Sequence, residues 1–153
     1  MNVKCDIGGG LDTYIKDLEQ YKDNIEEISR RAIYEGADVL ADEIRKSIER
    51  LNTSDGRVTD YEKEGLLEGL GIARMRKNGT IIDAKIGMDG YNHHPTKKYP
   101  KGQPNAMIAR SIEKGTSFRR PQPFISNTVE RCRAQAENAM SAEFDRQTGH
   151  IMK

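Results

Sequence analysis

Apolar residues recur at steps of three or four over the first third of the chain. The members of this stripe are Leu11, Ile15, Leu18, Tyr21, Ile25, Ile28, Ala32, Gly36, Leu40, Ile44, Ile48 and Leu51. Such spacing is the period of one helical face. Because the run is long and Asp23 and Asn24 favour a turn, we expect a short helix followed by a long one. Gly8 to Gly10 would form a hinge before the first helix, with Asp12 or Thr13 as its N-cap.

The middle of the chain has the pattern of a short helix followed by a β-hairpin. Residues 62–70 show brief helical spacing, and Gly71 is expected to end that helix. Two strands, 72–77 and 80–88, would then flank Asn78 and Gly79, a dipeptide typical of tight hairpins because both residues tolerate positive φ. In the second strand every other residue from Ile82 is apolar, which indicates one buried face. A lone hairpin is unstable in water, so we expect it to pack on the long helix.

The last third predicts a long loop and two further helices. Residues 89–104 are polar, and Asn105 is expected to cap a short helix whose Met107, Ile108 and Ile112 face inward. The final helix should begin after Pro123 and end at Gly149. Its apolar stripe consists of Ile125, Val129, Cys132, Ala136, Met140 and Phe144. We therefore predict an α+β fold, in which a long N-terminal helix and a C-terminal helix pack on a small antiparallel sheet containing the Asn-Gly hairpin.

Composition limits the classes of protein to which the chain can belong. With 153 residues, 35% hydrophobic and 32% charged, we expect a single domain, 1–153, with flexible ends at about 1–10 and 148–153. The 25 basic and 24 acidic residues give a net charge of +1, so the whole chain is not expected to capture nucleic acid electrostatically. No leader or long apolar run is visible, which predicts synthesis in the cytoplasm and no membrane partner. Cys5 and Cys132 lie far apart, and Cys132 falls on the apolar stripe, so we expect a buried thiol.

Few residues have the spacing of a catalytic or metal site. His93 and His94 are adjacent in the polar loop, and they would bind a metal only if further ligands came from elsewhere. Ser117 and Ser126 lack the setting of a catalytic nucleophile. We expect no enzyme activity, no metal and no cofactor. A small enzyme that pairs one of the two histidines with a carboxylate such as Asp89 remains an alternative.

Basic residues in two loops form the best candidate for a contact surface. The cluster consists of Lys97, Lys98, Lys101, Lys114, Arg119 and Arg120. We interpret Lys97, Lys98, Lys101, Arg119 and Arg120 as candidate partner contacts. A nucleic-acid-binding module that uses these loops is the alternative. Only Tyr91 and Tyr99 accompany the lysines and Trp is absent, which gives base stacking little support.

A sequence corner between the last two predicted helices resembles a known family. Glu64, Gly65, Leu66 and Leu67 lead into the hairpin, and residues 112–117 read Ile-Glu-Lys-Gly-Thr-Ser. Residues 120–124, Arg-Pro-Gln-Pro-Phe, then open the last helix. This order is similar to the minor tail-component proteins of lambdoid long-tailed bacteriophages, which act in head-tail joining and tail completion. The residues that match are Glu113, Gly115, Thr116, Ser117, Pro121, Pro123 and Phe124.

The resemblance implies a structural protein of the virion. It implies a ring of identical subunits that contacts other tail or connector proteins, present in the host cytoplasm during assembly and then in the particle. A ring needs heterologous contacts, in which one face of each subunit meets a different face of the next. For the matched residues themselves, we expect a structural corner: Gly115 permits positive φ, Pro123 starts a helix and Phe124 anchors it.

Overall fold

The computed structural model describes residues 8–55 and 57–149, with side chains in the first helix described at 15, 16 and from 19 onward. It has the predicted α+β fold, with a long N-terminal and a C-terminal helix. Cys5 and most of the two ends predicted to be flexible lie outside the described residues. The elements are α1 (Gly8–Glu49), α2 (Asp60–Gly69), β1 (Leu70–Ile72), β2 (Arg76–Asn78), β3 (Ile81–Asp83), β4 (Ile86–Met88), α3 (Asn105–Lys114) and α4 (Phe124–Thr148).

Helix α1 runs without interruption through 42 residues. The predicted break at Asp23 and Asn24 is therefore wrong. Neither residue is Gly or Pro, and their low helix propensity costs only about 0.7 kcal/mol each, too little to stop a helix that continues on both sides. The predicted hinge at Gly8 to Gly10 and the caps at Asp12 and Thr13 are also wrong, because all of these residues lie inside α1. Each residue added to an existing helix gains one backbone hydrogen bond, which offsets the cost of glycine.

Helices α1 and α4 pack side by side in opposite directions. Ser47 and Thr128 share a hydrogen bond of 2.5 Å at one end of the contact. Further along, the helices are in close contact at Gly36, where a Cβ would lie 2.3 Å from Cε of Met140 and 3.1 Å from the backbone oxygen of Ala136. Cys132 is a buried free thiol in this seam, as predicted. Each of the two helices has an apolar stripe, and burial of the two stripes against each other stabilises their packing.

Helix α2 begins with a capping box that the sequence analysis did not identify. The Thr59 hydroxyl accepts a hydrogen bond from the Glu62 amide at 3.2 Å, and the Glu62 carboxylate accepts one from the Thr59 amide at 2.9 Å. The helix therefore starts at Asp60, earlier than the predicted residue 62. It ends at Gly69, and Gly71 lies in β1. The signal was present in the sequence as Thr-Asp-Tyr-Glu, the Ser/Thr-x-x-Glu pattern of a helix start.

The four strands form two short antiparallel pairs that share one long hairpin. Strand β1 pairs with β4 and strand β2 pairs with β3. Between the pairs, residues 73–75 oppose residues 84 and 85, so one strand carries an extra residue and the ladder is interrupted. At the tip, Asn78 pairs with Ile81, which leaves Gly79 and Thr80 as the loop. Gly79 has φ +63°, and the turn is thus one residue later than predicted.

We call residues 73–85 the arm. The predicted alternation holds along it: the side chain of Ile82 is half-buried, whereas Ile81 is 68% exposed. Lys77 forms an ion pair with Glu26 of α1, which ties the arm to the long helix. The hydrogen bond from Lys77, and then the one from Arg30, holds the pKa of Glu26 below its ordinary value. The arm therefore lies on α1 by one of its faces.

The core lies where α1, α2, α3 and the start of α4 meet β1. Its buried members are Ile44, Ile48, Leu51, Val58, Leu66, Leu70, Ile108, Ala109, Ile112 and Phe124. In α3 the inward positions of Ile108 and Ile112 are confirmed, but that of Met107 is wrong, since Met107 is 45% exposed. Asn105 is also not the cap. Pro104 occupies that position, and the buried Asn105 side chain instead donates to the backbone oxygen of Asp89 at 2.8 Å.

Candidate functional site

The connection between α3 and α4, residues 112–125, contains the sequence motif, and we call it the corner. Gly115 follows the last residue of α3 with φ +73°, which favours glycine. A Cβ at this position would lie 2.8 Å from the Arg119 backbone oxygen and 2.8 Å from the Pro121 nitrogen. Thr116 and Arg119 exchange two backbone hydrogen bonds, and Gln122 returns one to the oxygen of Ile112 at 2.8 Å. The corner is thus a tightly folded turn, in which the side chain of any residue other than glycine at position 115 would meet backbone atoms.

Glu113 caps α4 from the end of the preceding helix. Pro123 holds the N-cap position and makes no side-chain cap bond. The two carboxylate oxygens of Glu113 each accept a backbone hydrogen bond of 2.9 Å, one from Ile125 and one from Ser126. The Ser126 hydroxyl also donates to this carboxylate. The Glu113 carboxylate therefore accepts hydrogen bonds from amides in the first turn of α4 that have no partner within the helix. Its negative charge also lies at the positive end of the α4 dipole.

Arg119 is not a surface contact, so its interpretation as a partner contact is wrong. Its guanidinium donates to both oxygens of Glu62, at 2.7 and 2.9 Å, and to the hydroxyl of Ser111 at 3.1 Å. The side chain of Arg119 is 7% exposed and that of Glu62 is 12% exposed. Burying a guanidinium requires such a partner. Glu62 lies 57 residues earlier in the chain, and charge pattern alone does not reveal so distant a pair.

The remaining candidate contacts lie on exposed loops. Lys97, Lys98 and Lys101 share the loop of residues 89–104, and all three are exposed, as is Arg120 in the corner. Lys98 lies 5.6 Å from the centre of the Tyr99 ring. The three lysines therefore lie on one exposed loop, whereas Arg119 is buried.

The base of this loop is closed by hydrogen bonds. The Asn92 amide donates to Gln103 at 2.9 Å, and the Asn92 side chain accepts from the Gln103 amide at 2.7 Å. Gly102 has φ +90°, and a Cβ there would lie 1.8 Å from the backbone oxygen of Asn92. The lysines are therefore presented by a folded loop with a fixed base.

The two adjacent histidines of the loop 89–104 contact residues of α2. His93 Nε2 lies 2.7 Å from a carboxylate oxygen of Glu68. His94 stacks on Tyr61, with ring centroids 4.5 Å apart and the planes 13° from parallel. Asp89, the carboxylate suggested for an enzyme, accepts a hydrogen bond from the backbone of Gly90. The structure thus pairs His93 with Glu68 and not with Asp89.

Within residues 8–55 and 57–149, no group of three or more His, Cys, Asp and Glu side chains is arranged to hold a metal ion. Over the same residues, no helix has the length and apolar content needed to cross a bilayer.

Comparisons of the chain with protein-family models, with curated protein sequences and with solved structures found no match in any of the three.

Proposed function

We propose that this chain is a structural bacteriophage protein, a tail component that acts in tail completion or head-tail joining as a ring of identical subunits. Its partners are then copies of itself and other tail or connector proteins. It is present in the host cytoplasm during assembly and afterwards in the virion. This proposal combines the resemblance of the corner sequence with one feature of the fold.

That feature is the part of α1 that extends past α4. A helix of 42 residues is about 63 Å long, whereas the 25 residues of α4 span about 37 Å. Since the helices are antiparallel, the C-terminal part of α4 reaches α1 near Ser29, where Ser29 and Phe144 line one groove. Ile15 and Tyr21, further toward the N-terminus, are 45% and 51% exposed. An apolar helical stripe beyond its intramolecular partner favours contact with a neighbouring subunit.

The geometry of the corner also supports the proposal. Gly115 and Glu113 have structural roles in the turn and in the cap of α4. A sequence pattern with such roles is typical of a fold signature, since substitution at these positions disturbs the connection itself. We therefore interpret the resemblance to tail-component proteins as one that concerns how the last two helices are joined.

The test is the solution mass of the purified protein across a range of concentrations, by light scattering, with electron microscopy of negatively stained particles. We expect one discrete multimer of about six or more subunits with a central opening, because closed symmetry yields a single species. A protein that remains monomeric at all concentrations, or that forms an open ladder of sizes, contradicts the ring.

Nucleic-acid binding is the second candidate, and the exposed lysines at 97, 98 and 101 are the observation that favours it. Duplex DNA labelled with a fluorophore would then bind with an affinity that falls steeply as salt rises. Replacing all three lysines by Ser should remove most of this binding. If wild-type protein shows no binding at low salt, this candidate is excluded.

A further inference from the structure

The near-zero net charge conceals a separation of charge along the chain. Residues 70–123 contain eleven basic and three acidic residues, whereas residues 1–69 contain ten basic and seventeen acidic residues. In the fold, the first group forms the arm, the loop of residues 89–104, α3 and the corner, and the described part of the second group forms α1, α2 and the connection between them. Opposite charge on different surfaces of one chain favours head-to-tail contact between copies.

The arm has one face on its own subunit and one face in solvent. Lys77 attaches the inner side to α1, and its cross-strand partner Ile82 is half-buried on the same side. The outer side presents Arg76, Ile81 and Lys85, together with Asp83 opposite Arg76, all of them exposed. An isoleucine at 68% exposure beside two cations is a combination typical of a contact surface for an acidic partner with some apolar area.

The extra residue in the arm opens a small cavity between the two strand pairs. Its volume is about 290 Å³. The residues that line it are Ala73, Arg74, Met75, Arg76, Asp83 and Lys85. Three cationic side chains surround one carboxylate, so the cavity has a net positive charge. Its volume is roughly ten times the 30 Å³ that a water molecule occupies in the liquid, which is enough for short side chains of a partner.

The outer face of α1 offers the complementary charge. Tyr34, Asp38 and Asp42 follow one another at steps of four, so they share a face, and all three are exposed. In the described part of the chain, neither Asp38 nor Asp42 takes part in an ion pair. Like charges at this spacing destabilise a helix, and cations from another molecule would relieve the repulsion.

The arm of the same subunit is not placed to meet these carboxylates. It lies along the face of α1 that contains Ile44, near its base, and Glu26, which Lys77 binds near its tip. At about 100° per residue, Asp38 and Asp42 are turned about 120° and 160° away from that face. Moreover, the inner side of the arm faces α1, whereas the cationic outer side faces away. A second copy can bring its own outer α1 face to that side, and the resulting contact is heterologous, as a ring requires.

We propose that the outer side of the arm binds the outer face of α1 of a second copy. The carboxylates of Asp38 and Asp42 enter the cavity between Arg74 and Lys85, and Ile81 packs near Tyr34. This inference rests on the proposed ring, for which it specifies the two surfaces that meet.

Two charge-reversal variants test the contact. The first carries Arg74→Glu and Lys85→Glu, and the second carries Asp38→Lys and Asp42→Lys. Each alone should raise the concentration needed for half-assembly by at least about tenfold, because like charges then face each other. An equimolar mixture of the two should restore assembly, since subunits that alternate around a ring of even number have opposite charges at every contact. Assembly is measured by light scattering, and folding by circular dichroism.

A matched control carries Arg110→Glu and Arg133→Glu, two exposed cations on α3 and α4 outside the proposed contact, and changes net charge by the same amount as the first variant. It should assemble as the wild type does. If the wild type assembles but the arm variant assembles equally well, or the mixture fails to recover although the wild-type ring has an even number of subunits, the inference is wrong and the ring stands. A wild type that never assembles overturns both. Loss of duplex DNA binding in the arm variant, with assembly unchanged, would assign this surface to nucleic acid and also overturn the inference.

Discussion

At the scale of single residues, the motif positions act through backbone geometry and through capping. Gly115 and Glu113 determine how the chain leaves α3 and enters α4. Arg119, in the same segment, is held inside the protein by Glu62. The corner is therefore fixed at several independent points, and each can be tested by substitution.

Gly115→Ala should destabilise the protein by about 2 kcal/mol, because the residue needs positive φ and its new Cβ would meet two backbone atoms. The measurement is urea unfolding followed by circular dichroism. Gly71→Ala is the matched control, since a Cβ at Gly71 meets nothing within 4 Å. Equal stability of the two variants would show that the corner is not folded as described.

Arg119→Met should cost about 3 kcal/mol of unfolding free energy, since it leaves the Glu62 carboxylate buried without its cation. The double variant with Glu62→Gln should lose less, because glutamine can still accept the Thr59 hydrogen bond without a charge. A double-mutant cycle in urea gives the coupling between the two side chains. Full stability of Arg119→Met would contradict the buried pair.

Local sequence signals predicted some residues of the corner and missed others. The buried position of Phe124 is as expected, because this aromatic residue directly follows the proline that starts the helix and anchors it. The burial of Arg119 does not, because it depends on a carboxylate in a different element. Asn105 is a similar case: its amide is buried against a loop carbonyl, although the residue type favours a cap.

At the scale of elements, helical periodicity predicted the position of α1 and α4, but it did not predict the continuity of α1. Two weak helix formers, Asp23 and Asn24, do not end a helix when ion pairs between residues four apart follow at once, as Glu26 with Arg30 and Glu27 with Arg31 do here. The hairpin was predicted as two unbroken strands. The position of the extra residue between β1 and β2 depends on how the strands pack, which the strand propensity of single residues does not predict.

The attachment of the arm to α1 should depend on pH. The hydrogen bond from the Lys77 ammonium holds the pKa of Glu26 below its ordinary value, so the folded state binds this proton less readily than the unfolded chain does. The stabilisation is thus present above the unfolded pKa and is lost as pH falls through the lower, folded value. Titration by nuclear magnetic resonance should show the pKa of Glu26 rising in Lys77→Met. An unchanged pKa of Glu26 in that variant would contradict the contact.

At the scale of the whole molecule, the fold separates a closed core from surfaces that extend beyond it. The core is built from α1, α2, α3, α4 and β1, whereas the arm and the N-terminal part of α1 project from it. Separated charge and exposed apolar residues occur on these projecting parts. We expect substitutions there to alter association much more than folding.

Ile15→Ser with Tyr21→Ser should weaken assembly and leave the unfolding free energy of the monomer within about 0.5 kcal/mol, because both side chains are about half exposed. Light scattering measures the first quantity and urea unfolding of dilute protein the second. Lys16→Ser with Lys22→Ser is the control on the same segment. If both pairs of substitutions behave alike, the apolar stripe of this segment is not a contact surface.

Glu62 performs two tasks with one carboxylate: it closes the capping box of α2 and it binds the guanidinium of the corner. The start of α2 and the turn before α4 therefore cannot open separately without breaking the same group of hydrogen bonds. Segments linked in this way exchange their amide hydrogens with deuterium as one cooperative unit. We expect the amides of Glu62 and Gln122 to be protected to the same extent, and to lose that protection together when Arg119 is replaced.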